Sequence, residues 1–274
     1  MATPPPRPGF PARLPLGGGG QGHRPPARPQ PARPPVGAVA AAAGMAASGG
    51  VNPPPLVRDS IPARARMVQL LAAEGIRDAQ VLRAMGAVDR HHFVDGALVP
   101  QAYEDTALPI GLGQTISKPS VVARMLELLV QGGLRGPNGR LGRVLDIGSG
   151  CGYQAVVLGQ LATEVYSIER LRDLHEKARA NLRPLRITNV HLILGDGMVG
   201  FAKGAPYAGI VAAAGGEAVP EAWIDQLAVG GRIVAPVAMG GNQQALIVID
   251  KSRQGVQQTV LEAVNFVPLK SGVA

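Results

Sequence analysis

The stretch Arg143-Val-Leu-Asp-Ile-Gly-Ser-Gly-Cys-Gly-Tyr153 limits the fold of this chain more than any other part of it. Val144, Leu145 and Ile147 suit a buried strand, Asp146 arrives near its end, and glycines follow at 148, 150 and 152. A helical pattern then continues to residue 161. A strand that turns through glycines into a helix lets a nucleotide-like ligand reach bare backbone, because glycine has no Cβ in the way.

The rest of the folded part is consistent with that unit. Helical periodicity is expected over residues 64–74, ending before Gly75, and again from an Asp78 N-cap through Val81, Leu82 and Met85. A third, short helix is expected near Asp89. Residues 103–117 read as loop, with Pro109, Gly111 and Gly113 as breakers. Pro119 suits the first turn of a helix continuing over 121–130. Strands are then expected at 143–147, 164–168, 190–194, 209–213, 232–236, 245–250 and 259–266, with helices at 153–161, 171–182 and 220–227. This alternation implies an α/β, Rossmann-like fold, with a mainly parallel seven-stranded sheet, helices on both faces, N-terminal helical elements and late antiparallel strands. Trp223 is expected to pack its helix against the sheet.

Composition divides the chain in two. Residues 1–60 carry most of the 25 prolines, one aromatic (Phe10), a glycine run at 17–20 and an alanine-rich patch at 38–47. Such a segment buries too little apolar surface to offset its ordering entropy, so it is expected to be a disordered tail ahead of one domain at 61–274. The net charge of +8 resides mostly in this tail, where six arginines and Asp59 give +5 and leave +3 for the domain. A solubilising tail, or a start at Met45 or Met67, accounts for these charges more simply than contact with RNA, an acidic membrane or a Pro-binding module. The near-neutral domain, without a basic, aromatic-rich patch, is not expected to bind nucleic acid. One cysteine, Cys151, excludes an internal disulfide and a multi-cysteine metal site, and reads as a small residue packed in a tight loop. No apolar run is long enough to span a membrane, and the weak signal-peptide mimic at 24–47 is too rich in proline, so a cytoplasmic location is expected.

Charge then selects the ligand. A dinucleotide turn spaces its glycines as Gly-x-Gly-x-x-Gly around a pyrophosphate. Here the third glycine comes one residue early, and Asp146 would repel a pyrophosphate. S-adenosylmethionine, which carries an ammonium and a sulfonium and no phosphate, is the better match. Glu169 lies 17 residues beyond Gly152, at a strand end where an acid accepts hydrogen bonds from ribose hydroxyls. Asp196, in Leu194-Gly-Asp-Gly197, stands where an acid can receive an adenine amino group. His91 and His92 form a pair without a supporting acid or cysteine cluster and are expected to be structural, with no metal bound.

Four segments together resemble the protein-L-isoaspartate O-methyltransferase family, within the class I S-adenosylmethionine-dependent methyltransferases. They are Met85-Gly-Ala-Val-Asp-Arg-His-His-Phe-Val94, Leu108-Pro-Ile-Gly-Leu-Gly-Gln-Thr-Ile-Ser-Lys-Pro119, Val190-His-Leu-Ile-Leu-Gly-Asp-Gly197 and Val264-Asn-Phe-Val-Pro-Leu269. The resemblance covers about residues 64–269. It implies methyl transfer to the free α-carboxylate of L-isoaspartyl residues in damaged proteins and peptides, with S-adenosylhomocysteine as product, by a monomeric repair enzyme. By resemblance Gln114, Thr115, Ile116, Asp146, Gly148, Gly150, Gly152, Glu169, Asp196 and Gly197 surround the cofactor. Thr115, Ser117, Val267, Pro268 and Leu269 meet the substrate, and Ser117 is the active-site residue. From sequence Ser117 also suits a helix N-cap ahead of Pro119. The chain departs from the family at Ala208, where an aspartate is usual, and at 212–216, which lacks a hydroxyl residue and a proline; substrate grip is the property these departures touch. A methyltransferase for a small molecule and a cofactor-binding module with little activity are the competing expectations.

Overall fold

The computed structural model describes residues 55–241 and 243–274. The expectations for residues 1–54 lie outside the described residues. The boundary expected at residue 61 falls inside a helix, α1 (Pro55–Ala73). Helix α2 (Ala79–Ala87) has its expected cap, since Asp78 accepts hydrogen bonds from the amides of Gln80 and Val81 at 2.8 and 3.1 Å. The short helix expected near Asp89 is a single 3-10 turn, Arg90–Phe93. Asp89 does not cap it and binds Arg64 of α1 instead.

The segment expected to be loop contains an antiparallel hairpin, β1 (Leu108–Gly111) and β2 (Gln114–Ile116). Leu112 and Gly113 turn it with φ of +53° and +68°, the pair of positive values that matches the twist of a tight hairpin. Leu108, Ile110 and Ile116 bury its inner face. Proline and glycine mark both loops and edge hairpins, and here the alternation of buried side chains decides for the hairpin.

Helix α3 (Pro119–Gly132) begins with its proline at the first turn. Lys118, not Ser117, holds the N-cap position, and no side chain of that residue caps the helix. Asp105 supplies the missing acceptor from a distance, binding the amide of Ser120 at 2.8 Å and its hydroxyl at 2.7 Å. The capping role considered for Ser117 is therefore filled by another residue.

The remaining chain runs β3 (Leu141–Ile147), α4 (Tyr153–Leu161), β4 (Ala162–Glu169), α5 (Arg172–Leu182), β5 (Val190–Leu194), β6 (Tyr207–Ala212), α6 (Glu221–Gln226), β7 (Leu227–Gly240), β8 (Gln243–Ser252) and β9 (Gly255–Val264). These strands form one seven-stranded sheet in the order β5-β4-β3-β6-β7-β8-β9. The pairings among β5, β4, β3, β6 and β7 are parallel, and those of β7 with β8 and β8 with β9 antiparallel. Chain order reverses at β3, so a crevice opens at its carboxyl end between the crossovers to β4 and β6.

Alternation along the strands builds two cores. Val144, Val165, Val211 and Val234 face a large cluster that includes Met85, Leu126 and Leu158 from the helical layer. Leu145, Ile168, Ile210 and Ile233 face a second cluster closed by Trp223 and Leu227. Trp223 is 1% exposed and its indole N–H donates to the carbonyl of Gly197 at 2.8 Å. Trp223→Phe keeps most of the ring packing and orphans that carbonyl, so it should cost about 1–2 kcal/mol in urea unfolding; unchanged stability would show that the bond contributes nothing.

Candidate active site

The glycine turn adopts the backbone its sequence requires. Gly148, Gly150 and Gly152 have φ of +91°, +54° and +91°, a region that side chains rarely enter. Their surroundings differ. A Cβ on Gly152 would meet Leu182 Cδ1 at 2.6 Å, so this glycine lets α4 pack closely against α5. A Cβ on Gly148 would meet nothing closer than 3.7 Å. That position opens on space.

Asp146 does not face that space. It is 0% exposed, with Oδ1 accepting from Gln154 Nε2 at 2.8 Å and Oδ2 from Ser167 Oγ at 2.7 Å. Ser167 in turn shares a 2.6 Å hydrogen bond with Ser149 of the turn. Asp146 thus anchors the glycine turn from behind, with both carboxylate oxygens bonded within the protein. Burial pushes its carboxyl up to about 6, against the lowering effect of its two donors.

Glu169 ends β4 beside the turn. One of its oxygens accepts from the amide of Gly150 and the other from the amide of Leu171, both at 2.9 Å. Each oxygen keeps lone-pair capacity for further donors. Asp196 accepts from the amides of Met198 at 2.8 Å and Gly272 at 2.7 Å, which caps a 3-10 turn and holds the C-terminal segment. That segment crosses the carboxyl edge of the sheet: Gly215 donates to Val267 O and Leu269 donates to Gly215 O, each at 2.8 Å.

A cavity of about 470 Å³ lies at this edge. Gln114, Gly148, Gly150, Glu169 and Gly197 line it together with Val267, Pro268 and Leu269. Its volume is in the range of small-molecule sites. Asp146, Gly152, Thr115 and Asp196 are not among its walls. Residues that sequence reasoning did not single out complete it: the hairpin tip Leu112, apolar Ile168, Leu171 and Leu174, and Lys270. Their signal was present in part, since a residue at the end of a parallel strand or in the first turn after it stands at the ligand edge.

A second, much smaller cavity of about 30 Å³ adjoins the first, with Gly148 and Ala213 lining both. Ile116, Ser117, Ser149, Cys151 and Gln154 also line it. Thr115 points to solvent and lines neither. Cys151 is buried, and burial raises its thiol pKa, which suits the packing role expected of it. His91 is buried against Tyr103, 2.7 Å from Nδ1 to the phenol oxygen, as expected of a structural histidine. The departure at Ala208 lies at the amino end of β6, about 13 Å along the strand from its ligand end. That at 212–216 bears on the site, because Ala213 and Ala214 line the large cavity.

The raised Asp146 carboxyl makes a pH prediction. Between about 4 and 6 the folded state holds a proton that the unfolded state releases, so this group's contribution to stability is full below pH 4 and is lost as pH rises to 6. Relative to Asp146→Asn, the wild-type chain should therefore lose roughly 2–3 kcal/mol between pH 4 and 6.5 in denaturant unfolding. Parallel profiles for the two proteins would contradict the burial argument.

The family model for protein-L-isoaspartate(D-aspartate) O-methyltransferase matches residues 63–274. The protein-L-isoaspartate O-methyltransferase of Methylibium petroleiphilum is 60% identical over 226 residues, 81% of this chain and 82% of the relative. That of Leptothrix cholodnii is 58% identical over 219 residues, covering 79% and 76%. A solved protein-L-isoaspartate O-methyltransferase superposes with a TM-score of 0.67 at 27% identity, over 77% of this chain and 67% of its own. A second solved structure, from Plasmodium falciparum and described as a putative protein-L-isoaspartate O-methyltransferase in complex with S-adenosyl-L-homocysteine, gives 0.64 at 26% identity, over 76% and 98%. With a family match over residues 63–274 and relatives near 60% identity, the chain belongs to the protein-L-isoaspartate(D-aspartate) O-methyltransferase family.

Proposed function

We propose that this chain repairs damaged proteins by methylating the free α-carboxylate of L-isoaspartyl residues, with S-adenosylmethionine as methyl donor. The observation that carries this reading is the pair of adjoining cavities, a large one at the glycine turn and a small one under Ser117, meeting at Gly148 and Ala213. The large cavity receives the donor and the small one the carboxylate.

S-adenosylmethionine supplies a methyl group on a positively charged sulfur. Glu169 is placed to accept hydrogen bonds from the ribose hydroxyls, with its geometry set by the amides of Gly150 and Leu171. Gly148 and Gly150 let the donor lie against backbone, and Gly197 with the apolar Ile168, Leu171 and Leu174 packs the adenine. Asp196 serves this region by holding Met198 and Gly272 rather than by direct contact. Asp146 supports the turn.

The acceptor carboxylate is already an anion at neutral pH, so no general base is required. One carboxylate oxygen forms a bond to the methyl carbon as the carbon–sulfur bond breaks, and the sulfonium electron pair returns to sulfur. Opposite charges disappear in this step, so a dry site favours it over water. Ser117 orients the carboxylate through its hydroxyl, and Val267, Pro268 and Leu269 hold the peptide beside the donor. The ester then closes to a succinimide by attack of the following backbone nitrogen, with methanol leaving. Hydrolysis of the ring returns part of the product to normal aspartate.

Among the described residues no helix is long and apolar enough to cross a membrane. The reading includes a cytoplasmic monomer acting on protein rather than nucleic acid, in keeping with the net +3 left once the arginine-rich residues 1–60 are set aside.

Labelled S-adenosylmethionine and two peptides differing only in Asp against isoAsp test the reading. Base-labile label on the isoAsp peptide alone is the expected result; label on neither, or on a small-molecule acceptor only, would contradict it. Ser117→Ala should lower kcat/KM for the isoAsp peptide about 10- to 100-fold while leaving the Kd for S-adenosylmethionine within about twofold, because orientation and not donor binding is lost. Glu169→Gln should do the reverse, weakening donor binding about 10-fold or more in calorimetry.

A further inference from the structure

Arg90 is fully buried, 0% exposed, and lies in the 3-10 turn Arg90–Phe93, lining neither cavity itself. Its Nε donates to the carbonyl of Ala102 at 2.8 Å and its Nη2 to the carbonyl of Ser117 at 2.7 Å. The guanidinium lies over the ring of Tyr153, 4.8 Å from the centroid. Its Nη1 is buried with no partner in the structure. Asp105, the acid that acts on its charge, is committed to Ser120.

A buried guanidinium without a paired carboxylate costs several kcal/mol, and an apolar side chain of the same volume is often as stable or more so. The contacts suggest what offsets that cost. Ser117 follows β2 and precedes an α3 whose N-cap side chain makes no bond, so its own neighbours do little to fix its peptide. Arg90 ties that peptide to Ala102, the residue that ends the turn Gly96–Gln101. The planar fork of arginine reaches two carbonyls at once, which a lysine ammonium cannot do with the same geometry. Ser117 and Tyr153, both gripped by Arg90, also line the small cavity.

We propose that Arg90 is a positioning residue for methyl transfer: it fixes the Ser117 peptide so that the hydroxyl faces the acceptor cavity. The proposal rests on the reading of Ser117 given above. Arg90 touches no reacting atom, and its effect passes through Ser117. Loss of Arg90 therefore disturbs the acceptor and spares the donor.

The test uses the full chain and measures kcat and KM for an isoaspartyl peptide, Kd for S-adenosylmethionine and Tm in Arg90→Lys, Arg90→Met, Ser117→Ala and the Arg90→Met/Ser117→Ala double variant. Both Arg90 variants should lose about 10-fold or more in kcat/KM for the peptide with donor Kd within about twofold, and Arg90→Met should keep or raise Tm. In the Ser117→Ala background, Arg90→Met should change kcat/KM by less than about twofold, because two residues acting as a unit are not additive. Full additivity, an unchanged kcat/KM, a parallel loss of donor affinity, or failure of both Arg90 variants to fold would each overturn the proposal. A wild-type chain that methylates no isoaspartyl peptide would overturn the functional reading as well, which separates that failure from one confined to Arg90.

Discussion

Under the glycine turn, Asp146 of β3 accepts one hydrogen bond from Gln154 of α4 and another from Ser167 of β4, and Ser167 reaches on to Ser149. Two backbone bonds, from Gly148 and Ser149 to the carbonyl of Ile168, close the same corner. This buried network fixes three elements at the point where chain order reverses in the sheet. The rest of the site is hung from it: Glu169 is one residue beyond Ile168, and its carboxylate binds Gly150 of the turn it helps to shape. A fully satisfied polar network in a low-dielectric interior is rigid, and a rigid turn is what a close approach of ligand to backbone needs.

From this corner the acceptor side follows by contact. The hairpin of β1 and β2 delivers Gln114 to the large cavity and leads into Ser117 at the small one. The C-terminal segment arrives from the opposite side, paired with Gly215 and anchored by Asp196. The hairpin, the glycine turn and the C-terminal segment thus meet at the carboxyl edge of the sheet, where the proposed reading places donor and acceptor. That division suits a reaction that needs in-line placement of two charged groups and no acid or base.

Much of this was legible in the residues. The seven strands, the helices after β3 and β4, and the places of Gly148, Gly150 and Glu169 in the cavity wall follow from period, glycine spacing and strand ends, whereas Gly197 and Val267 to Leu269 were reached through the family resemblance. Matching the charge of Asp146 to a ligand left its parity on the strand out of account. Val144 and Asp146 share one face of β3, and Val144 packs into the helical core, so alternation alone puts the carboxyl under the turn. Position along the motif pointed Asp196 and Gly152 toward the ligand and did not show that Asp196 also accepts two backbone amides and that Gly152 packs on a leucine of α5. The hairpin was hidden because Pro109, Gly111 and Gly113 are breakers in a helix or a central strand, yet suit a short edge strand and its turn. Arg90 carried no signal of its own in the sequence. Its importance comes from burial and from carbonyls 12 and 27 residues away, which only the fold brings together.

A crystal structure of the chain with S-adenosylhomocysteine and an isoaspartyl peptide tests the central claim most directly. The ribose hydroxyls should lie on Glu169, the sulfur should face the wall shared by Gly148 and Ala213, and the isoaspartyl α-carboxylate should sit within hydrogen-bond distance of Ser117 Oγ. A ribose held elsewhere, or a carboxylate bound away from Ser117, would contradict the placement of donor and acceptor in the two adjoining cavities.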